Sequence, residues 1–172
     1  MHNDYQLPGN EDLARALELF SHDEEDRALA MVEAVLVRDP SNPTAYRAKS
    51  MICAGVDRLD EAILLLEKAI ELSRGSNGSH FLELGELLLR IDRFDEAHEI
   101  LTTAVNLLQQ GGEQYMLGIA RLAVAVAALK SGHFSMARNR AAEVDGDVSY
   151  YYCDEVWSRD VLLARLAAIQ PI

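Results

Sequence analysis

The sequence contains few of the residues that cross-link or interrupt small folds. Of its 172 residues, two are cysteines and four are prolines, and 6% are aromatic. Cys53 and Cys153 lack the CxxC spacing of a metal site and are too few for a disulfide framework, so they fit a reducing compartment. Frequent Ala, Leu, Glu and Arg together with little proline are typical of helices. With 49% hydrophobic residues, the chain has enough apolar side chains for a core, and we predict an all-α fold.

Basic residues are also scarce. The chain has 16 Lys and Arg against 28 Asp and Glu, which gives a formal net charge of -12. Proteins that bind DNA or RNA need excess positive charge to displace counterions from the phosphates. We therefore expect no nucleic-acid partner.

Long apolar runs are missing as well. No stretch of about 18 apolar residues is present, and residues 1–10 lack the basic and apolar segments of a signal peptide. We expect no membrane partner and a cytoplasmic location, with residues 1–10 forming an N-terminal tail.

A hexapeptide recurs along the chain. Residues 57–62 read DRLDEA and residues 92–97, which lie 35 residues later, read DRFDEA. Weaker copies occupy residues 23–28 and 132–137, the latter displaced by an insertion near residues 109–114. A period of this length is typical of repeats in which each unit is a helical hairpin.

The residue types of the hexapeptide fit the start of a helix. We expect Asp57 and Asp92 to act as N-caps, because a carboxylate accepts hydrogen bonds from the free N–H groups of the first turn. The small Ala62 and Ala97 leave room for a neighbouring helix. Gly85, on the preceding helix of the third repeat, is expected to permit close approach within its hairpin.

The spaced small and large residues resemble the tetratricopeptide repeat (TPR) family over roughly residues 11–145. The third repeat carries the resemblance best, with Phe81, Leu84, Gly85 and Leu88 on its first helix and Phe94, Ala97, Leu101 and Ala104 on its second. The resemblance implies an α-solenoid of four hairpins within a single domain of residues 11–172. The repeats span residues 11–42, 43–77, 78–112 and 113–145.

A further helix is predicted after the fourth repeat. Trp157, Val161, Ala164 and Ala168 are spaced as one helical stripe. We expect a C-terminal capping helix over residues 151–169, with this stripe facing the core.

Several short segments resemble catalytic or ligand-binding motifs but do not complete them. Residues 95–98 spell a helicase box, but the chain lacks the phosphate-binding loop that helicases require, and residues 73–79 resemble an interhelical linker. Asp145 and Asp147 begin like a calcium loop that lacks its central glycine and final glutamate. No two histidines are four residues apart. We expect no catalytic residue, no metal site and no cofactor, and hence no enzyme.

The TPR resemblance implies a concave groove lined by the first helix of each hairpin. The candidate partner-binding residues on these helices are Arg47, Met51, Leu82, Glu86, Leu89, Leu122, Val126 and Leu129. This lining is largely apolar, which favours an amphipathic or apolar polypeptide segment as the partner. Family members that bind acidic chaperone tails carry Lys, Asn and Arg at set positions. Aligned over repeats one to three, these positions hold Leu13, Leu17, Ala48, Ser79 and Glu83, and aligned over repeats two to four they hold Arg47, Met51, Glu83, Ile119 and Ala123, so the basic set is missing.

The first helix of the fourth repeat is apolar on nearly every side, and the sequence does not determine what covers it. Between residues 117 and 129 only Arg121 is charged, so this helix needs cover on nearly every side. Its cover is the chain's own C-terminal segment, a partner, or a second copy in a homo-oligomer. The functional hypotheses are a general binding module or scaffold and, as the alternative, a chaperone of the type III secretion kind. No constellation supports an enzyme.

Overall fold

The computed structural model describes residues 10–144, 148–152 and 155–169. It divides into two compact units: unit 1 ends at Gly75 and unit 2 begins at Ser76. That both belong to one domain stays a prediction. The candidate calcium residues Asp145 and Asp147, the thiol of Cys153 and nearly all of the expected N-terminal tail lie outside the described residues.

Unit 1 contains two helical hairpins. The helices are α1 (Asn10–Ser21), α2 (Glu25–Arg38), α3 (Pro43–Gly55) and α4 (Leu59–Leu72). α1 packs on α2, α3 packs on α4, and α2 also contacts α3. Much of the core consists of small and β-branched side chains at helical spacing, namely Leu13, Ala16, Ala28, Val32, Val35, Ala45, Ala48 and Ile52.

Unit 2 contains two further hairpins and a C-terminal portion. Its elements are α5 (Gly78–Arg90), α6 (Phe94–Gly111), α7 (Gln114–Lys130), α8 (Phe134–Ala142), β1 (Ser149–Tyr152), β2 (Glu155–Ser158) and α9 (Arg159–Ile169). The insertion near residues 109–114 lengthens α6 to 18 residues, compared with 14 in α4. The four hairpins predicted from the repeat are confirmed, and none of the described helices combines the length and apolarity needed to cross a bilayer.

The hexapeptide starts in a turn rather than at a helix cap. Asp23, Asp57, Asp92 and Gly132 occupy equivalent positions and have φ angles of 61°, 62°, 60° and 79°. The expectation that Asp57 and Asp92 are N-caps was therefore wrong. The next helices begin two residues later, and the residues at their N-caps, Arg58 and Arg93, make no side-chain cap bond. Aspartate tolerates the left-handed conformation better than most residues, which explains its recurrence in this tight turn.

Asparagine caps the first helix of two hairpins. The Asn42 side chain accepts a hydrogen bond from the backbone N–H of Ala45 at 3.0 Å, at the start of α3. The Asn77 side chain accepts one from the N–H of Ser79 at 3.0 Å, at the start of α5. These bonds satisfy N–H groups that have no partner within the helix.

Close approach of α5 and α6 at Gly85 is confirmed. A Cβ atom at Gly85 would overlap the side chain of Leu101, which is fully buried on α6. The two helices therefore meet at a distance that only glycine permits at this position.

The C-terminal portion differs from the expectation of one helix over residues 151–169. Residues 149–152 and 155–158 form an antiparallel pair of strands, with Tyr150 opposite Trp157, and α9 starts only at Arg159. Tyrosine, valine and tryptophan favour strands, and tyrosine burial alternates along β1.

The expected stripe on the C-terminal helix was also displaced. Leu162 and Leu166 are the buried residues of α9, whereas Val161, Ala164 and Ala168 are exposed. Trp157 belongs to β2, so its position does not determine which residues of α9 face the core.

Candidate polypeptide-binding surface

In unit 1, the candidate surface lies on α3. Arg47 and Met51 are one turn apart and so share a face of this helix. Arg47 is half-buried, and Met51 is 39% exposed. Ala48 and Ile52 are buried, which directs the adjacent face of α3 into the core of unit 1. The helix therefore presents a flexible apolar side chain beside a cation.

In unit 2, three candidate residues lie on α5. Leu82 and Leu89 are buried, and Glu86 is half-buried one turn from each of them. Within the described part of the chain, Glu86 makes no hydrogen bond or ion pair. Burial, together with the smaller effect of the negative charge of Glu83, raises the pKa of the Glu86 carboxyl to about 7.

Because the pKa of Glu86 is raised, we expect the stability of unit 2 to depend on pH. Folding favours the protonated carboxyl, so its stabilising contribution is complete below the unfolded pKa and is lost as the pH rises through about 7. Glu86→Gln should therefore stabilise unit 2 by roughly 1 to 3 kcal/mol at about pH 8.5, and by much less at about pH 5.

Thermal melts followed by circular dichroism at the two pH values measure this difference. Glu99→Gln is the matched control, because Glu99 is exposed on α6 of the same unit. An equal shift for both variants at both pH values would contradict the assignment to Glu86.

The remaining candidate residues lie on α7. Leu122 and Val126 are fully buried, and Leu129 is half-buried. Leu82 and Leu89 of α5 and the candidate residues Leu122 and Val126 of α7 are therefore covered within the chain itself. The role of the eight residues in binding stays a prediction.

A segment of the chain's own C-terminal portion lies against α7. We name residues 148–152 and 155–158 together the strap. A Cβ atom at Gly118 would lie 2.7 Å from Cγ2 of Val148, and the Lys130 ammonium nitrogen lies 5.7 Å from the Tyr152 ring centroid. The Tyr152 hydroxyl donates a hydrogen bond to the carbonyl oxygen of Leu89 on α5 at 2.9 Å. The strap therefore contacts both helices that carry the candidate residues of unit 2.

Aromatic residues hold the strap in place. Tyr150, Tyr152 and Trp157 are all buried, and the rings of the two tyrosines are parallel with centroids 6.3 Å apart. The Arg165 guanidinium of α9 lies 4.2 Å from the Trp157 ring centroid, within the range of a cation–π interaction. On the opposite side of the strands, Tyr151 and Val156 face each other and are exposed.

The strap is an element that the sequence pattern of one C-terminal helix did not predict. Its signal is the run of three tyrosines separated by two residues from a second strand-forming segment, a pattern that favours a hairpin. The helical spacing of Trp157, Val161, Ala164 and Ala168 competes with this signal and favours a helix.

The segments that resemble catalytic or ligand-binding motifs lie in helices and linkers of the repeats. Residues 95–98 lie in the first two turns of α6, and residues 73–79 connect α4 to α5 and enter its first turn. Cys53 is fully buried, and this burial raises the pKa of its thiol.

Comparisons with known proteins agree with this architecture. No protein-family profile and no curated protein sequence matches the chain. Among solved structures it is similar to YrrB, a TPR protein with an unusual peptide-binding site, with a TM-score of 0.64 and 27% identity, covering 80% of this chain and 67% of YrrB. It is also similar to PilW, a type IV pilus biogenesis factor, with a TM-score of 0.68 and 19% identity.

The match with PilW covers 98% of this chain but only 64% of PilW. A third similar structure is the TPR2B domain of yeast Sti1, in complex with pHsp70, with a TM-score of 0.61 and 17% identity, covering 73% of this chain and 96% of that domain. The repeat spacing, the consecutive hairpins and these similarities together establish that the chain has the tetratricopeptide-repeat fold.

Proposed function

We propose that this chain is a non-catalytic protein-interaction module that binds an amphipathic or apolar polypeptide segment on the first helices of its hairpins. The observation that carries the proposal is the position of the strap. Part of it, β1, is an extended strand that lies against α7, where the chain itself supplies the apolar side chains. This face has the shape and chemistry to hold an extended polypeptide.

The similar structures support the same class of function. YrrB is described by its peptide-binding site, and the Sti1 domain was solved in complex with pHsp70. Among the positions that the TPR family uses for acidic tails, Arg47 is the single basic residue in this chain. We therefore assign it a different ligand, in which apolar side chains supply most of the contact.

The candidate residues take different parts in this proposal. Arg47 and Met51 form the accessible surface on unit 1. Glu86 and Leu129 are half-buried residues of unit 2, where the buried residues are Leu82, Leu89, Leu122 and Val126. The proposal includes a cytoplasmic location and no nucleic-acid or membrane partner. No specific observation favours a type III secretion chaperone or a homo-oligomer.

Selection from a displayed random peptide library tests the proposal on the purified full chain. We expect enrichment of peptides with apolar residues at regular spacing. Met51→Glu should lower the affinity of the chain for the selected peptides by about tenfold, since truncating or charging an apolar anchor removes a large share of the binding energy.

Leu64→Glu is the matched control. Leu64 is an exposed apolar residue of unit 1, but it lies on the second helix of its hairpin. Circular dichroism should show both variants folded. Absence of enrichment, or equal loss in both variants, would refute the proposed site.

A further inference from the structure

We propose that the strap is a built-in competitor for a ligand of unit 2. The site is the face of α5 and α7 that the strap covers. The ligand class is an extended polypeptide segment with aromatic side chains at alternating positions. This inference rests on the proposed function and adds the chemistry of the ligand and the element that excludes it.

The position of the site follows from one stripe of α7. Gly118, Leu122, Val126 and Lys130 are spaced four residues apart and so lie along one side of the helix. Val148 contacts the position of Gly118, and the Tyr152 ring lies beside Lys130. Residues 148–152 therefore run along this stripe, and Leu122 and Val126, both candidate ligand contacts, lie between its two ends.

The chemistry of the ligand follows from the contacts of the strap. Tyr150 and Tyr152 point to the same side of β1 because they are two residues apart, and both are buried. The carbonyl oxygen of Leu89, near the end of α5, accepts a hydrogen bond from the Tyr152 hydroxyl in addition to one from the backbone N–H of Asp92. Lys130 adds a cation near the ring. The face is thus suited to tyrosine at alternating positions of an extended chain.

Three features make the strap replaceable. A two-stranded hairpin is marginally stable by itself. The Trp157 indole N–H is buried and has no hydrogen-bond partner among the described residues, which disfavours the closed state. Tyr151 and Val156, with exposed fractions of 66% and 59%, leave apolar surface in water on the other side of the strands.

The geometry allows the strap to be locked. A Cβ atom built at Gly118 lies 3.5 Å from Cβ of Val148, within the separation of a disulfide. The full chain with Gly118→Cys, Val148→Cys and Cys153→Ser therefore gives a closed oxidised form and a reduced form that opens. The probe is a fluorescent synthetic peptide with the sequence of residues 147–159, carrying serine in place of Cys153, and a scrambled peptide is its control.

Fluorescence anisotropy measures binding of the probe in trans. We expect binding to the reduced form and at least about tenfold weaker binding to the oxidised form. Tyr152→Ala, which loosens the strap, should bind the probe at least about tenfold more tightly than the wild-type chain. Tyr152→Phe keeps the ring and loses only the hydrogen bond to Leu89, so its affinity for the probe should lie between those of the wild-type chain and Tyr152→Ala. This variant replaces Tyr152→Ala in the test if Tyr152→Ala does not fold.

Equal binding to oxidised and reduced forms, or no binding to a folded Tyr152 variant, would overturn the inference. These outcomes are separate from the test of the proposed function. A library peptide that still depends on Met51 would leave the interaction module in place while the strap is shown to be permanent structure.

Discussion

Leu122→Glu is expected to destabilise unit 2 by about 4 to 5 kcal/mol, because it places an unpaired carboxylate in a fully buried position on α7. At an open groove position, a glutamate in place of Leu122 would leave the fold intact and affect only binding. Its burial leads to the opposite expectation. Since single domains are stable by only about 5 to 15 kcal/mol, this loss is between about a quarter and nearly all of the stability.

Urea titration followed by circular dichroism measures this loss. Met136→Glu is the matched control in the same unit, because Met136 on α8 is 40% exposed. That variant should stay within about 0.5 kcal/mol of the wild type. An unchanged midpoint for Leu122→Glu would contradict the burial of this position and would mean that the face of α7 is open.

Trp157→Ala is expected to cost about 3 to 5 kcal/mol of the stability of unit 2. Trp157 is the largest fully buried side chain among the described residues, and it lies opposite Tyr150 and below the Arg165 guanidinium. Its removal leaves a cavity beneath the strap and breaks the cation–π contact with α9.

The neighbouring residue provides the control for Trp157. Val156 precedes it on β2 and is largely exposed, so Val156→Ala should change the melting temperature little. Melts of the two variants by circular dichroism compare them directly. Similar losses for both would show that the strap is not packed on unit 2 through Trp157.

The hairpins were predictable because their signals are local and repeated. The recurrence of residues 57–62 at residues 92–97 defined the period, and Gly85 marked the close approach of α5 and α6. The role of the aspartates was not predicted, since aspartate is favoured both at N-caps and in left-handed turns. Only the backbone of Asp57 and Asp92 distinguishes the two.

The burial of the candidate residues on α7 was not predictable from the sequence. The repeat register assigns Leu122 and Val126 to the first helix of the fourth hairpin, where both are fully buried. Whether the face of α7 that they share is open depends on contacts distant in sequence, such as the hydrogen bond between Tyr152 and Leu89, 63 residues apart. A periodic pattern in one segment contains no information about such a contact.

Hydrogen–deuterium exchange of the full chain, with and without the most enriched library peptide, tests the central claim most directly. Binding on the first helix of unit 1 predicts slower exchange in α3, and a ligand that occupies the α7 face of unit 2 predicts faster exchange in residues 148–152 and 155–158, because it releases the strap. Unchanged exchange in both segments, with protection confined to the second helices α4, α6 and α8, would contradict the account.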